Sequence, residues 1–341
     1  MITIFDQRQL LHAPVRELHN GGWTAYAETP DRAETILAAI GPALPARDMG
    51  MAPIAAVHDA GYLRFLEAAH RDWLAAGRDG DAIGYAWPVV GRRDVDLTRI
   101  DARLGRYSYD ASTPIAEHSW TSAYWSAQTA LTALDEVAGG SDGVAFALCR
   151  PCGHHAGADY LGGYCFLNNA AIAAAEARSR GLGPVAILDI DYHHGNGTQD
   201  IFAADPDMLF VSIHADPATD YPFYWGHADE HGSGAGAGTT LNLPLPRGTD
   251  WAAYEPALDQ ALAAVKAFDT RFLIVSFGAD TFVDDPISHF RLQRSDFVRL
   301  GQRVAALALP SVIVMEGGYA TADLGDNVAA FLDGFEGSRR A

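Results

Sequence analysis

This sequence predicts an α/β fold built on a mostly parallel sheet with helices on both faces. Three observations predict it. Short apolar runs recur along the chain, helix-patterned segments separate many of them, and four runs end abruptly in chemically capable side chains. Apolar runs bounded by glycine or charge are buried strands. Strands alternating with helices make a parallel sheet covered on both sides. Open sheets of this kind gather ligands just beyond the carboxyl ends of their strands.

The first run is residues 2–5. The stretch 79–120 has no clean period and is rich in glycine, arginine and aromatics, among them Tyr85, Trp87, Tyr107, Tyr109 and Trp120. Such a length without regular structure is often functional and suits a rim or an interface. The run 144–148 follows and ends in Arg150-Pro151-Cys152-Gly153-His154-His155. Residues 168–180 are alanine-rich and stop at Gly181, a helix signal. The run 185–188 ends in Asp189-Ile190-Asp191-Tyr192-His193-His194-Gly195-Asn196-Gly197. The run 209–213 leads to His214, read as structural. The glycine-dense loop 232–238 lacks the Lys-Ser/Thr ending of a phosphate loop. Helical spacing covers 251–268, and the run 272–275 ends in Ser276-Phe277-Gly278-Ala279-Asp280. A further helix is expected over 295–307. The run 312–315 ends in Glu316-Gly317-Gly318-Tyr319. No repeat, linker or composition break appears, so residues 1–341 are expected to form one domain, with 79–120 as an insertion.

The 341 residues are 49% hydrophobic, enough for a sizeable core. A net charge of −19 argues against a nucleic-acid surface, which needs a basic footprint, and accords with solubility or a cationic substrate. The N-terminus lacks signal-peptide regions and no run spans a membrane, so a cytoplasmic protein is expected. The three cysteines, Cys149, Cys152 and Cys165, form no even framework and fit a reducing compartment. Cys149-x-x-Cys152 reads first as a strand-end cysteine and a loop cysteine, with a redox pair as the alternative.

Asp191 and His193 are two apart, so an extended chain points them the same way. With Asp280 they give three ligands, and a catalytic zinc keeps a fourth position open. Carboxylate-rich ligation also admits ferrous iron or cobalt. Such an ion makes an amide carbonyl a better electrophile and helps deprotonate water. The tandem His154-His155 offers a general base. Tyr319, after two glycines, can donate to a developing oxyanion, a contribution of about 2.7–4 kcal/mol.

These residues resemble the zinc-dependent histone deacetylase superfamily, within the arginase–deacetylase fold. The motifs are Arg150 to Ala156, Gly162-Gly163-Tyr164-Cys165-Phe166-Leu167-Asn168-Asn169, Asp189 to Gly197, Gly278 to Asp280 with Asp285-Pro286-Ile287-Ser288, and Glu316 to Tyr319. Their order and spacing agree over most of the chain. The length, the 79–120 excursion and Asn196 are most similar to the bacterial acetylpolyamine amidohydrolases. Two departures stand out. Cys152 replaces the usual proline, and Asn196 stands where lysine deacetylases carry aspartate. The resemblance implies a three-layer fold with about eight strands in a mostly parallel sheet.

It also implies that His154 faces Asp189 and His155 faces Asn196. A carboxylate favours imidazolium and a neutral amide does not, so His155 is the expected base and His154 its electrostatic partner. Tyr164 and Tyr221 are expected to flank a narrow channel, with Gly163 and Ile287 also binding substrate. Glu17 is the first candidate for holding a distal cation, ahead of Asp101, Asp110 and Glu117. In lysine deacetylases a Tyr-Asp similar to Tyr109-Asp110 holds a peptide backbone. A potassium ion is implied at Asp189, Asp191, His193, Ser212 and Ile213, and a homodimer through the excursion. The implied activity is hydrolysis of N-acetylated polyamines or diamines to amine and acetate. The alternatives are a protein acetyl-lysine deacetylase and a silent acetyl-lysine binding module.

Overall fold

The computed structural model describes residues 1–89, 95–140 and 143–340; residues 90–94 of the excursion lie outside it. Its centre is a seven-stranded sheet ordered β1-β4-β9-β8-β5-β6-β7, every pairing parallel. The strands are β1 Ile2–Ile4, β4 Val144–Ala147, β5 Val185–Asp189, β6 Met208–Ala215, β7 Thr240–Leu245, β8 Phe272–Phe277 and β9 Ser311–Met315. A separate antiparallel hairpin joins β2 Arg16–His19 to β3 Gly22–Ala25.

Alternation along the strands builds two cores. Phe146, Leu188, Val211, Val275 and Ile313 face one way, onto the helices Asp31–Ile40, Trp251–Ala267, Arg294–Ala305 and Thr321–Arg340. Their neighbours Ala145, Ile187, Phe210, Ile274 and Val312 face the other way, onto Ser119–Ala138 and Asn169–Ser179. Burial on both faces explains why the strands read as continuous apolar runs. The expected helices start where their caps dictate. Asn168 accepts from Ala171 N and Asp250 from Ala253 N, each satisfying an otherwise orphaned amide.

The seven strands agree with the expected mostly parallel sheet of about eight. Three features go beyond the expectation. β7 carries no sequence signal because Pro244 and half-buried positions break its apolar pattern. The hairpin was not foreseen because its strands are short and mostly exposed. The 79–120 excursion is not wholly irregular: it holds the helix Ile100–Tyr107, and Trp120 lies in the first turn of the long helix Ser119–Ala138. A third apolar cluster, including Phe65, Leu104 and Phe166, packs the excursion onto the body. No helix among the described residues is long and apolar enough to cross a membrane.

Candidate active site

The adjacent strands β4, β9, β8 and β5 deliver their carboxyl ends to one place. β5 has β6 on one side and β8 on the other, so Asp191 and Asp280 flank the point where strand order turns back. The donor atoms of Asp191, His193 and Asp280 all lie within 4.8 Å of one another. Both carboxylates are fully buried. Gly317 N donates to Asp191 Oδ2 at 2.7 Å and Tyr192 N to Asp280 Oδ1 at 2.9 Å. A Cβ on Gly278 would stand 2.0 Å from Asp191 Oδ2, so only glycine lets the loop close on the cluster. Burial, then the charge of Asp191, pushes the Asp280 carboxyl up to about 7. Among the described residues no lysine or arginine pairs with either acid. Two buried acids and an imidazole short of positive charge fit a divalent cation with oxygen and nitrogen ligands.

Cys152, Cys165 and Glu316 form a second close group. Glu316 is already spent there: it accepts from Gly153 N at 2.7 Å, His154 N at 3.2 Å and Ser276 Oγ at 3.2 Å. It braces the turn that carries the histidines. Cys149 bonds instead to Ser126 O, and the close thiol pair is Cys152 and Cys165, at 3.4 Å.

The two histidines meet different partners. His154 Nδ1 is 3.0 Å from Asp189 Oδ2, and His155 Nδ1 is 2.7 Å from Asn196 Oδ1. Burial works against charge on both. At His154 the carboxylates of Asp189 and Asp191 outweigh it and raise the pKa well above the usual value. At His155 burial is joined by the neighbouring His154 and His193, and the pKa falls well below it. One imidazole favours carrying a proton on both nitrogens, and its neighbour keeps a free lone pair on one.

Tyr319 is fixed by its backbone. Its N–H donates to Asp285 Oδ2 at 2.7 Å, and among the described residues its hydroxyl has no protein partner. Arg32, fully buried, donates to Glu316 O and Gly318 O at 2.6 Å each, and its guanidinium lies 4.8 Å from the Tyr319 ring centre. Glu28 pairs with both Arg32 and Arg150, at 2.6 and 3.1 Å. Sequence reasoning missed Arg32 and Glu28, because polar residues opening an ordinary surface-type helix carry no distinguishing signal.

The walls are aromatic. Tyr221 packs edge-on against His155 at 5.2 Å and His193 at 6.1 Å. Tyr164 packs at 5.6 Å on Tyr319, in a cluster that Ile287 joins. Gly163 lies against His155, where a Cβ would come within 2.2 Å of the ring. Asp110 accepts from Gly163 N at 2.7 Å and Tyr221 OH at 2.9 Å, so it ties both walls together. Glu17, on β2 and 4% exposed, accepts from Tyr164 OH at 3.0 Å, while its Oε2 has no partner. Burial pushes its carboxyl up to about 7. Asp101 is engaged elsewhere, by Arg78 and Arg99, and Glu117 is exposed. Beneath the site Ser212 Oγ pairs with His214 Nδ1, while Asp189 sits opposite Ser212 in register and Ile213 is buried.

A histone deacetylase domain model matches residues 26–335. Acetylpolyamine amidohydrolase 2 of Pseudomonas aeruginosa is 48% identical over the full length of both chains. Acetylpolyamine amidohydrolase of Mycoplana ramosa is 45% identical over 99% of this chain and 100% of its own. A crystal structure of acetylpolyamine aminohydrolase from Burkholderia pseudomallei superposes with a TM-score of 0.95 at 43% identity, covering 99% of each chain.

Proposed function

The chain belongs to the histone deacetylase domain family, and from that premise we propose that it hydrolyses N-acetylated polyamines or diamines to the free amine and acetate. The observation that carries the substrate class is Glu17. Its buried Oε2 lacks a partner beside the channel tyrosine, and its carboxyl is held near neutrality by burial. A distal ammonium would supply the missing hydrogen bond and the missing charge. The names of full-length relatives support the same substrate.

Asp191, His193 and Asp280 would hold one divalent ion, with zinc our first choice. The ion would supply Lewis acidity to the acetyl carbonyl and to water. The remaining work belongs to the side chains. His155, neutral, takes a proton from water at Nε2 as the water oxygen bonds to the carbonyl carbon. It then gives that proton to the amine nitrogen as the C–N bond breaks. His154, held positive by Asp189, stabilises negative charge without moving its own proton. Tyr319 donates its free hydroxyl to the carbonyl oxygen as that oxygen gains charge. Tyr164 and Tyr221 suit a slender methylene chain. Potassium at Asp189, Ser212 and their neighbours follows from the family resemblance.

Asp110 weighs against the peptide alternative. Its carboxylate is committed to Gly163 and Tyr221, which leaves it less able to hold a substrate backbone. The exposed Tyr85, Trp87 and Val89 of the excursion support a homodimer. The test is kcat/KM on acetylputrescine, acetylspermidine, acetylcadaverine and an acetyl-lysine peptide side by side. We expect the acetylpolyamines to lead by at least about tenfold, or roughly 1.4 kcal/mol. A higher value for the peptide than for every polyamine would hand the site to the protein-deacetylase alternative.

A further inference from the structure

We propose that Tyr160 and Asp200 are positioning residues that fix the side-chain amide of Asn196, and through it the tautomer of His155. The inference rests on the deacetylase function proposed above, in which His155 must accept a proton. An asparagine can present either end to a neighbour by a half-turn of its amide. Here Asn196 Oδ1 faces His155 Nδ1 at 2.7 Å. That orientation demands a proton on Nδ1 and leaves the lone pair on Nε2. The flipped amide would donate to Nδ1 and move the proton to Nε2, which could then accept nothing.

The choice is made outside the pair. Tyr160 OH stands 2.7 Å from Asp200 Oδ2, a charge-assisted bond that commits the phenol proton to the carboxylate. Only lone pairs of Tyr160 remain for Asn196, and only the amide nitrogen can use them. Asn196 Nδ2 does so at 3.4 Å, with His155 O as a second, longer acceptor at 3.5 Å. Trp225 Nε1 donates to the same Asp200 oxygen at 3.2 Å and holds it in place. Tyr109, on the opposite side, is 3.3 Å from Asn196 Oδ1 but enforces nothing. Its hydroxyl also meets Tyr221 OH at 2.5 Å, and Tyr221 has one proton to share between Tyr109 and Asp110 Oδ2 at 2.9 Å, so Tyr109 donates toward Asn196 only while Tyr221 donates to it. Tyr160 and the acceptor-only carbonyl of His155 favour the same end of the amide, and Asp200 keeps the closer of the two, Tyr160, on that side. A negative charge at the surface therefore reaches the base through three hydrogen bonds, where a directly paired aspartate is absent.

This logic predicts an unusual mutant order. In Asp200→Ala the Tyr160 proton is released and competes to donate to Asn196, which rewards the flipped amide. We expect kcat to fall about fivefold with KM within about twofold, the cost of one misplaced neutral hydrogen bond. Asp200→Asn keeps an oxygen acceptor but not the charge, and should lose less kcat than Asp200→Ala. Tyr160→Phe/Asp200→Ala removes the competitor and should recover part of the loss, so the double variant is faster than Asp200→Ala. A purely structural role would make the double variant slower. The tautomer is read independently of turnover in 15N-histidine-labelled full-length protein, His155 being assigned by the loss of its signal in His155→Ala. We expect Nδ1–H in wild type and a substantial Nε2–H fraction in Asp200→Ala, with or without metal. Wild-type kcat and an unchanged tautomer in Asp200→Ala would overturn the proposal, as would a double variant slower than the single. Failure of wild type on every acetylated amine and peptide would sink the deacetylase function instead, while the spectrum still decides the tautomer.

Discussion

On the floor of the site, the carboxylates of Asp189, Asp191, Asp280 and Glu316 are fully buried, and each is met by backbone amides or imidazoles. At the rim, Glu17 is nearly as hidden yet keeps one oxygen without a partner, while Phe223 and Tyr224 stand 49% and 82% exposed. A buried polar group left unpaired costs free energy, about 1–3 kcal/mol for a neutral group and more for a charge. On the floor that cost has been removed by the protein's own groups and, in our account, a cation. At the rim it persists until something arrives. The floor defines a reaction and the rim a guest, and the two should respond differently to damage.

The largest effect should come from emptying the floor. Chelation should abolish turnover, with zinc, cobalt or ferrous iron restoring it. Full activity in exhaustively metal-free protein, checked by elemental analysis, would break the comparison at its base. Next come the groups around the cluster. Tyr319→Phe should lower kcat by about 10²–10³ while substrate still binds, as for a lost oxyanion donor. His155→Ala should cost at least as much as His154→Ala; steady-state kinetics giving the reverse order would exchange their roles.

Rim damage should be gentler and selective. Glu17→Gln should reduce kcat/KM on acetylputrescine by about tenfold and leave a peptide substrate nearly unchanged. Because burial raises the Glu17 carboxyl to about 7, it is charged above that pH and neutral below it. The ratio of polyamine to peptide kcat/KM should therefore fall as pH drops through about 7, and Glu17→Gln should flatten it. A ratio independent of pH in wild type would remove Glu17 from the binding of the cation. The smallest effect concerns assembly. Light scattering at micromolar concentration should show a dimer, and Trp87→Ala should weaken it; a wild-type monomer would detach the excursion from any interface.

What the sequence reveals follows the same division. β4, β5, β8 and β9 are legible because strands buried on both faces must be apolar throughout, and their polar ends stand out against that background. Asp191, His193 and Asp280 are legible for the same reason. β7 is hidden by Pro244 and by an edge position that relaxes the pattern. The hairpin left one clue: Asn20-Gly21, both at positive φ, is a two-residue turn signal. Arg32 and Asp200 left none, because each acts through atoms that only folding brings near, Gly318 O in one case and the Tyr160 hydroxyl in the other.

Glu17 rides on β2, which among the described residues pairs with β3 alone; neither strand joins the seven-stranded sheet. The acid we propose to recognise the guest is thus carried by residues whose backbone pairing is self-contained. Selection, or a designer, can exchange roughly ten residues of hairpin without touching the register of the strands that aim the reacting groups. Diversification of diet and inheritance of chemistry are separable in this architecture, and a library confined to residues 16–25 would search one while holding the other constant.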